Sequence, residues 1–137
     1  MASRLNPYIG FNGNARDAME FYRSVFGGEL NVSTFGESGM PAGPGADKVM
    51  HAQLETPAGF TLMASDTPPG MDYTAPNSAI SVSLSGDDQD LRGYWEKLAE
   101  GGSVMMPLEK QSWGDEFGMC VDRYGTPWMV NISQQQG

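Results

Sequence analysis

The order of apolar and polar positions divides this chain into short alternating runs and two helical runs. Alternation with period two marks strands, and recurrence at i, i+3, i+4 and i+7 marks a helix. Asn6 to Phe11 reads as a strand. After Asn14, a suitable N-cap, Ala15, Ala18, Met19, Tyr22, Val25 and Phe26 fall on one helical face, and Gly27-Gly28 ends the helix. Glu29 to Phe35 is a strand. Val49 to Glu55 alternates, with Met50, Ala52 and Leu54 expected under the helix and His51, Gln53 and Glu55 on the other face. Phe60 to Ser65 returns, with Phe60, Leu62 and Ala64 opposite Thr61, Met63 and Ser65.

The second half repeats the plan. Ser78 to Leu84 is a strand, Asp87 or Asp88 caps a helix with the stripe Leu91, Tyr94, Trp95 and Leu98, and Gly101-Gly102 stops it. Strands follow near Ser103 to Leu108, Glu116 to Asp122 and Thr126 to Ile132. In the last of these Trp128, Val130 and Ile132 are expected in the core, opposite Met129 and Asn131. The two Gly/Pro-rich stretches, Gly36 to Ala46 and Asp66 to Asn77, read as loops.

The halves also echo each other in wording. Phe11 to Tyr22 resembles Leu84 to Trp95, Gly27-Gly28 recurs as Gly101-Gly102, and Gly59 to Met63 matches Gly125 to Met129. Such a repeat implies two copies of one supersecondary unit, with a shared site expected between them. The expected fold class is α+β: two tandem βαβββ modules forming a cupped mixed sheet. Residues 1–137 are expected to form a single domain, with module one at about 4–67 and module two at about 78–134.

Composition narrows the function. The net charge of −9 argues against nucleic acid, whose binding rests on phosphate neutralisation; the plainer reading of the acidic excess is solubility, and the other is a preference for a cationic or neutral ligand. No stretch reaches the ~20 apolar residues of a membrane span, and the N-terminus lacks an apolar signal region, so neither membrane nor export is expected and the cytoplasm is the expected location. The single Cys120 excludes an intramolecular disulfide and reads as an inert, half-buried thiol. No Gly-rich strand-to-helix turn of the type that cradles a nucleotide cofactor is present.

Two βαβββ modules in tandem resemble the vicinal oxygen chelate superfamily, which includes glyoxalase I, bleomycin-resistance and fosfomycin-resistance proteins and extradiol dioxygenases. The wording is similar to its PhnB-like branch: Phe11-Asn12-Gly13-Asn14-Ala15 running into Phe21-Tyr22 and Phe26-Gly27-Gly28, then Met50-His51-Ala52, Leu62-Met63-Ala64-Ser65-Asp66, Trp113-Gly114, Phe117-Gly118 and Asp122 to Trp128. The resemblance implies a homodimer. It also implies one divalent metal held by His or Glu from the first and last strands of each module. Aligned by the repeat, those positions fall on Pro7, Met63, Ile80 and Met129. None is a usual ligand for such an ion, and one histidine cannot supply a two-His triad. No metal ligand, no divalent metal and no other cofactor is therefore expected.

What remains is a mixed lining suited to a small, partly apolar ligand: His51, Gln53, Thr61, Met63, Ser65, Trp113, Met129 and Asn131. His51 is the candidate for proton chemistry, and the plainer reading of it is a hydrogen-bonded strand histidine. The expected function is metal-free binding of a small molecule with no assignable reaction. The alternative is a superfamily enzyme of lyase, transferase or dioxygenase type, using His51 or a rearranged metal site.

Overall fold

The computed structural model describes residues 5–37, 39, 43, 45–68, 71–73 and 80–134. The chain forms two compact units, Met1–Ala75 and Pro76–Gly137. Each carries one helix and a four-stranded mixed sheet, so the α+β class and the βαβββ order are as the sequence implies. Among the described residues no helix is long and apolar enough to cross a membrane.

The first unit contains β1 (Tyr8–Phe11), α1 (Ala15–Phe26), β2 (Glu29–Thr34), β3 (Val49–Glu55) and β4 (Thr61–Asp66), with strand order β1-β4-β3-β2. β1 runs parallel to β4, and the other neighbours are antiparallel. The six apolar positions of α1 read from the sequence are the six it buries. Ala52, Leu54, Leu62 and Ala64 are buried with them, which fixes the helix side of the sheet. Burying each larger side chain contributes about 1.5–3 kcal/mol.

Met50 departs from the expected alternation. Ser33 pairs with His51 but Thr34 pairs with Val49, so Met50 is the extra residue of a β-bulge. Val49 takes the core position, and Met50 is exposed. The bulge resets the pleat, and only beyond it do His51, Gln53 and Glu55 point away from α1.

The helix start also differs from expectation. Asn14 is the N-cap residue but its side chain makes no capping bond. Asp66, from the end of β4, does that work: Oδ1 accepts the amides of Gly13 at 2.8 Å and Ala15 at 3.0 Å, and Oδ2 accepts that of Val49 at 2.9 Å. A buried carboxylate with three backbone donors is well satisfied.

The second unit contains β5 (Val82–Gly86), α2 (Asp90–Ala99), β6 (Ser103–Lys110), β7 (Glu116–Val121) and β8 (Pro127–Ile132), in the order β5-β8-β7-β6. The strand expected from Ser78 begins at Val82; residues 78 and 79 lie outside the described residues, and Ile80 precedes the strand and is exposed. The N-cap is Gln89, not Asp87 or Asp88, and its side chain makes no capping bond; Asp88 Oδ1 accepts the Asp90 amide at 2.9 Å just before the helix. Leu91, Trp95 and Leu98 are buried, whereas Tyr94 is half-buried at the edge of the stripe. Trp128, Val130 and Ile132 are in the core as expected. Asp122 holds the last hairpin: Oδ1 accepts the amides of Tyr124 and Thr126, and Oδ2 accepts the Trp128 indole N–H at 2.8 Å.

The paired glycines have one structural reason. A Cβ on Gly28 would run into the Glu55 carbonyl, and a Cβ on Gly102 into that of Val121. In each unit the strand after the helix crosses the end of its neighbour with room for no side chain.

Candidate functional site

The face of the first sheet turned away from α1 carries a continuous hydrogen-bonded chain. The Tyr8 hydroxyl lies 3.1 Å from His51 Nδ1. His51 Nε2 lies 3.3 Å from Gln53 Oε1, Gln53 Nε2 donates to Glu55 Oε1 at 2.6 Å, and Thr61 Oγ1 donates to Glu55 Oε2 at 2.8 Å. The three β3 residues sit at alternate positions and therefore follow one another along the strand. Tyr8 comes from β1 and Thr61 from β4. The Tyr8 and His51 rings are 5.6 Å apart and tilted by 36°.

Met63 lies on the same face, in register with Gln53 on one side and Tyr8 on the other. Ser65, two residues further along β4, shares that face. Of the sequence-derived candidates, the first unit thus groups His51, Gln53 and Thr61 in one chain, with Met63 and Ser65 beside it. Two members were missed. Glu55 reads from sequence as a solvated residue near a turn, yet it terminates the chain by accepting two bonds. Tyr8 is absent from the expected lining because the parallel register of β1 on β4 leaves no local mark in the sequence.

The remaining candidates belong to the second unit. Met129 lies in register between Met119 on β7 and Ser83 on β5. Asn131 donates from Nδ2 to Asp115 Oδ2 at 3.1 Å, and Asp115 Oδ1 also accepts the Gln134 amide at 3.3 Å. Trp113 is exposed, with its ring edge-on to Phe117 at 6.1 Å. Asp115 is a third residue that sequence reading passed over. Cys120 is on the helix side and 1% exposed, more enclosed than the half-buried thiol expected. Burial, with a smaller contribution from the Asp122 charge, pushes its thiol up to about 11, which leaves it protonated and unreactive near neutrality.

Register corrects the alignment of the first-strand positions. Met63 pairs with Tyr8, and Met129 pairs with Ser83. Pro7 contributes only its carbonyl, to the Met63 amide. Tyr8 and Ser83, rather than Pro7 and Ile80, are the structural counterparts; the echo in wording misplaces them because it pairs Phe11 with Leu84, whereas the structure pairs the start of α1 at Ala15 with that of α2 at Asp90, two residues further on. A phenol and a thioether in one unit, and a hydroxyl and a thioether in the other, do not fit a divalent ion that selects imidazole and carboxylate. Among the described residues no group of three or more His, Cys, Asp or Glu is assembled to hold a metal ion.

Two βαβββ units, each closed by a parallel pairing of its first and last strands, define the fold of the vicinal oxygen chelate superfamily, shared with solved glyoxalase/bleomycin-resistance/dioxygenase and fosfomycin-resistance structures. Within it the chain is PhnB-like: the family model described as 3-demethylubiquinone-9 3-methyltransferase matches residues 3–131, and the chain belongs to that family. Protein YjdN of Escherichia coli is 30% identical over 145 residues, spanning 96% of this chain and 97% of its own length. Protein PA1353 from Pseudomonas aeruginosa is 42% identical, with a TM-score of 0.86 over 98% of this chain and 100% of that one. The PhnB protein from Bacillus cereus shares the fold, with a TM-score of 0.74 at 24% identity over 96% of this chain and 100% of its own.

Proposed function

We propose that this protein binds a small molecule at the module-one face formed by Tyr8, His51, Gln53, Thr61, Met63 and Ser65, without a divalent metal. The observation that carries the reading is the chain of hydrogen bonds from Tyr8 to Thr61. It holds polar side chains in fixed orientations beside a thioether, and binding sites commonly combine a few oriented polar groups with an adaptable apolar surface. Methyl transfer, named in the family description, is not carried over, because the sequence has no Gly-rich strand-to-helix turn for a nucleotide cofactor.

A thermal-shift screen of a metabolite and drug library tests the reading. A ligand that raises the melting temperature of the wild-type protein, but not that of His51→Ala or Gln53→Ala, supports it. Hits that stabilise all three proteins equally place binding elsewhere and overturn it. Turnover of a bound compound that His51→Ala abolishes would replace the binding role with catalysis. The protein is further read as a homodimer on its superfamily resemblance, and sedimentation at several concentrations tests the dimer.

A further inference from the structure

The hydrogen-bonded chain has a direction, and Glu55 sets it. A carboxylate accepts and does not donate, so Gln53 turns its NH2 to Glu55 and its carbonyl oxygen to His51. That oxygen also only accepts, so the nitrogen facing it, His51 Nε2, carries a hydrogen. In a neutral imidazole the other nitrogen is then an acceptor, and the group beside it is the Tyr8 hydroxyl. The phenol hydrogen is thereby committed within the protein. The lone pairs of the phenol oxygen are not, and Tyr8 is 54% exposed.

We infer that Tyr8 is the ligand-facing residue of this face and that, with His51 neutral, it selects ligands carrying an ammonium, amidinium or similar cationic N–H group. The inference rests on the binding reading above and supplies its ligand class. The N–H group donates to the phenol oxygen, and the adjoining ring face adds cation–π attraction. The charges on this face agree. Among the described residues of this sheet, the titratable groups on the face besides Tyr8 and His51 are Glu55 and, opposite it on β2, Glu29. Ser33 opposite His51, and Met63 and Ser65 on β4, carry no charge. Helix α1 packs on the other side of the sheet.

One proton reverses the selection. When His51 is protonated, Nδ1–H donates to the phenol oxygen, the phenol hydrogen turns outward, and an imidazolium stands behind it. The face then repels a cation and offers a donor to an anion. Cation and proton therefore compete, and cation affinity falls by up to about tenfold per pH unit below the His51 midpoint.

His51 is the one histidine of the chain, so a single imidazole signal set reports on the site. The experiment is ¹⁵N-resolved NMR of the full chain at pH 8 and across the His51 titration, with benzylammonium and benzoate as probes of matched shape. Expected are the Nε2–H tautomer, a shift of the His51 signals by benzylammonium but not by benzoate at pH 8, and a lower His51 midpoint with benzylammonium present. Tyr8→Phe should keep the backbone amide spectrum and lose the benzylammonium response.

An Nδ1–H tautomer, an equal or stronger response to benzoate at pH 8, or an unchanged response in Tyr8→Phe overturns the inference. If benzoate or a neutral screening hit moves the His51 signals while benzylammonium does not, the binding reading survives and the cation class falls. If neither probe nor any screening hit moves them, both fall.

Discussion

The Asp66 carboxylate accepts the backbone amide of Val49 at 2.9 Å, immediately before the bulged residue Met50. The same side chain holds the start of α1 through Gly13 and Ala15. One buried group thus ties the helix, β4 and the bulge that turns His51 to the face away from α1. Asp66→Ala removes an acceptor from three amides, and hydrogen bonds to a charged group are worth about 1.5–3 kcal/mol each. A loss on the order of 3 kcal/mol or more is expected in urea unfolding. Asp66→Asn should lose less, because it keeps one acceptor oxygen while turning an NH2 toward an amide.

The second unit has its own pin in Asp122. Trp128→Phe keeps most of the buried ring and deletes the indole donor to Asp122 Oδ2. The expected cost is about 1–3 kcal/mol. Because Trp113 and Trp95 remain, fluorescence-monitored unfolding of the variant against wild type measures it.

Glycine substitutions should separate by position. Gly28→Ala and Gly102→Ala drive a methyl into a backbone carbonyl, and each is expected to cost more than about 2 kcal/mol. Gly93 lies inside α2, and a Cβ there meets nothing within 4 Å. Gly93→Ala should therefore stabilise by about 1 kcal/mol, the difference in helix propensity. Paired melting curves of the three variants read the contrast.

Cys120 gives a pH dependence with a definite sign. Its thiol is raised from 9.0 to about 11 in the folded protein. Between those values the unfolded chain releases the proton and the folded chain keeps it, so stability is fully present below pH 9 and falls as pH rises toward 11. Cys120→Ala should show a shallower loss over that window in urea unfolding. At pH 8 an alkylating reagent should label the wild-type thiol only when denaturant opens the protein.

The helices and core strands were legible because their signal is local: α1 buries the positions its 3.6-residue period marks, and Trp128, Val130 and Ile132 obey simple alternation. The site was legible in part for the same reason, since His51 and Gln53 share a face by spacing alone. What escaped depends on pairing between distant segments. The bulge at Met50 is set by registry with β2 and by Asp66, and neither can be read within Val49–Glu55. Tyr8 enters through a parallel register, and Asp66 displaces Asn14 as the capping group from the far end of the module. Glu55 looked solvated because Thr61, one of its donors, meets it only once β3 and β4 are side by side.

The position of β1 has a kinetic consequence. β2, β3 and β4 join through antiparallel neighbours close in sequence, but β1 must bring residue 8 beside residue 63 and, among the described residues of its sheet, pairs with β4 alone. The most distant contact of the module is the slowest to close, and an outer strand with a single neighbour is the easiest to release. Tyr8 rides on that strand while His51, Gln53 and Glu55 ride on an interior one. The two ends of the relay thus belong to parts of the sheet with different lifetimes. Peeling of β1 disconnects Tyr8 from His51 while the helix and three strands stay folded, and a ligand gripping both residues would slow amide exchange along β1 first.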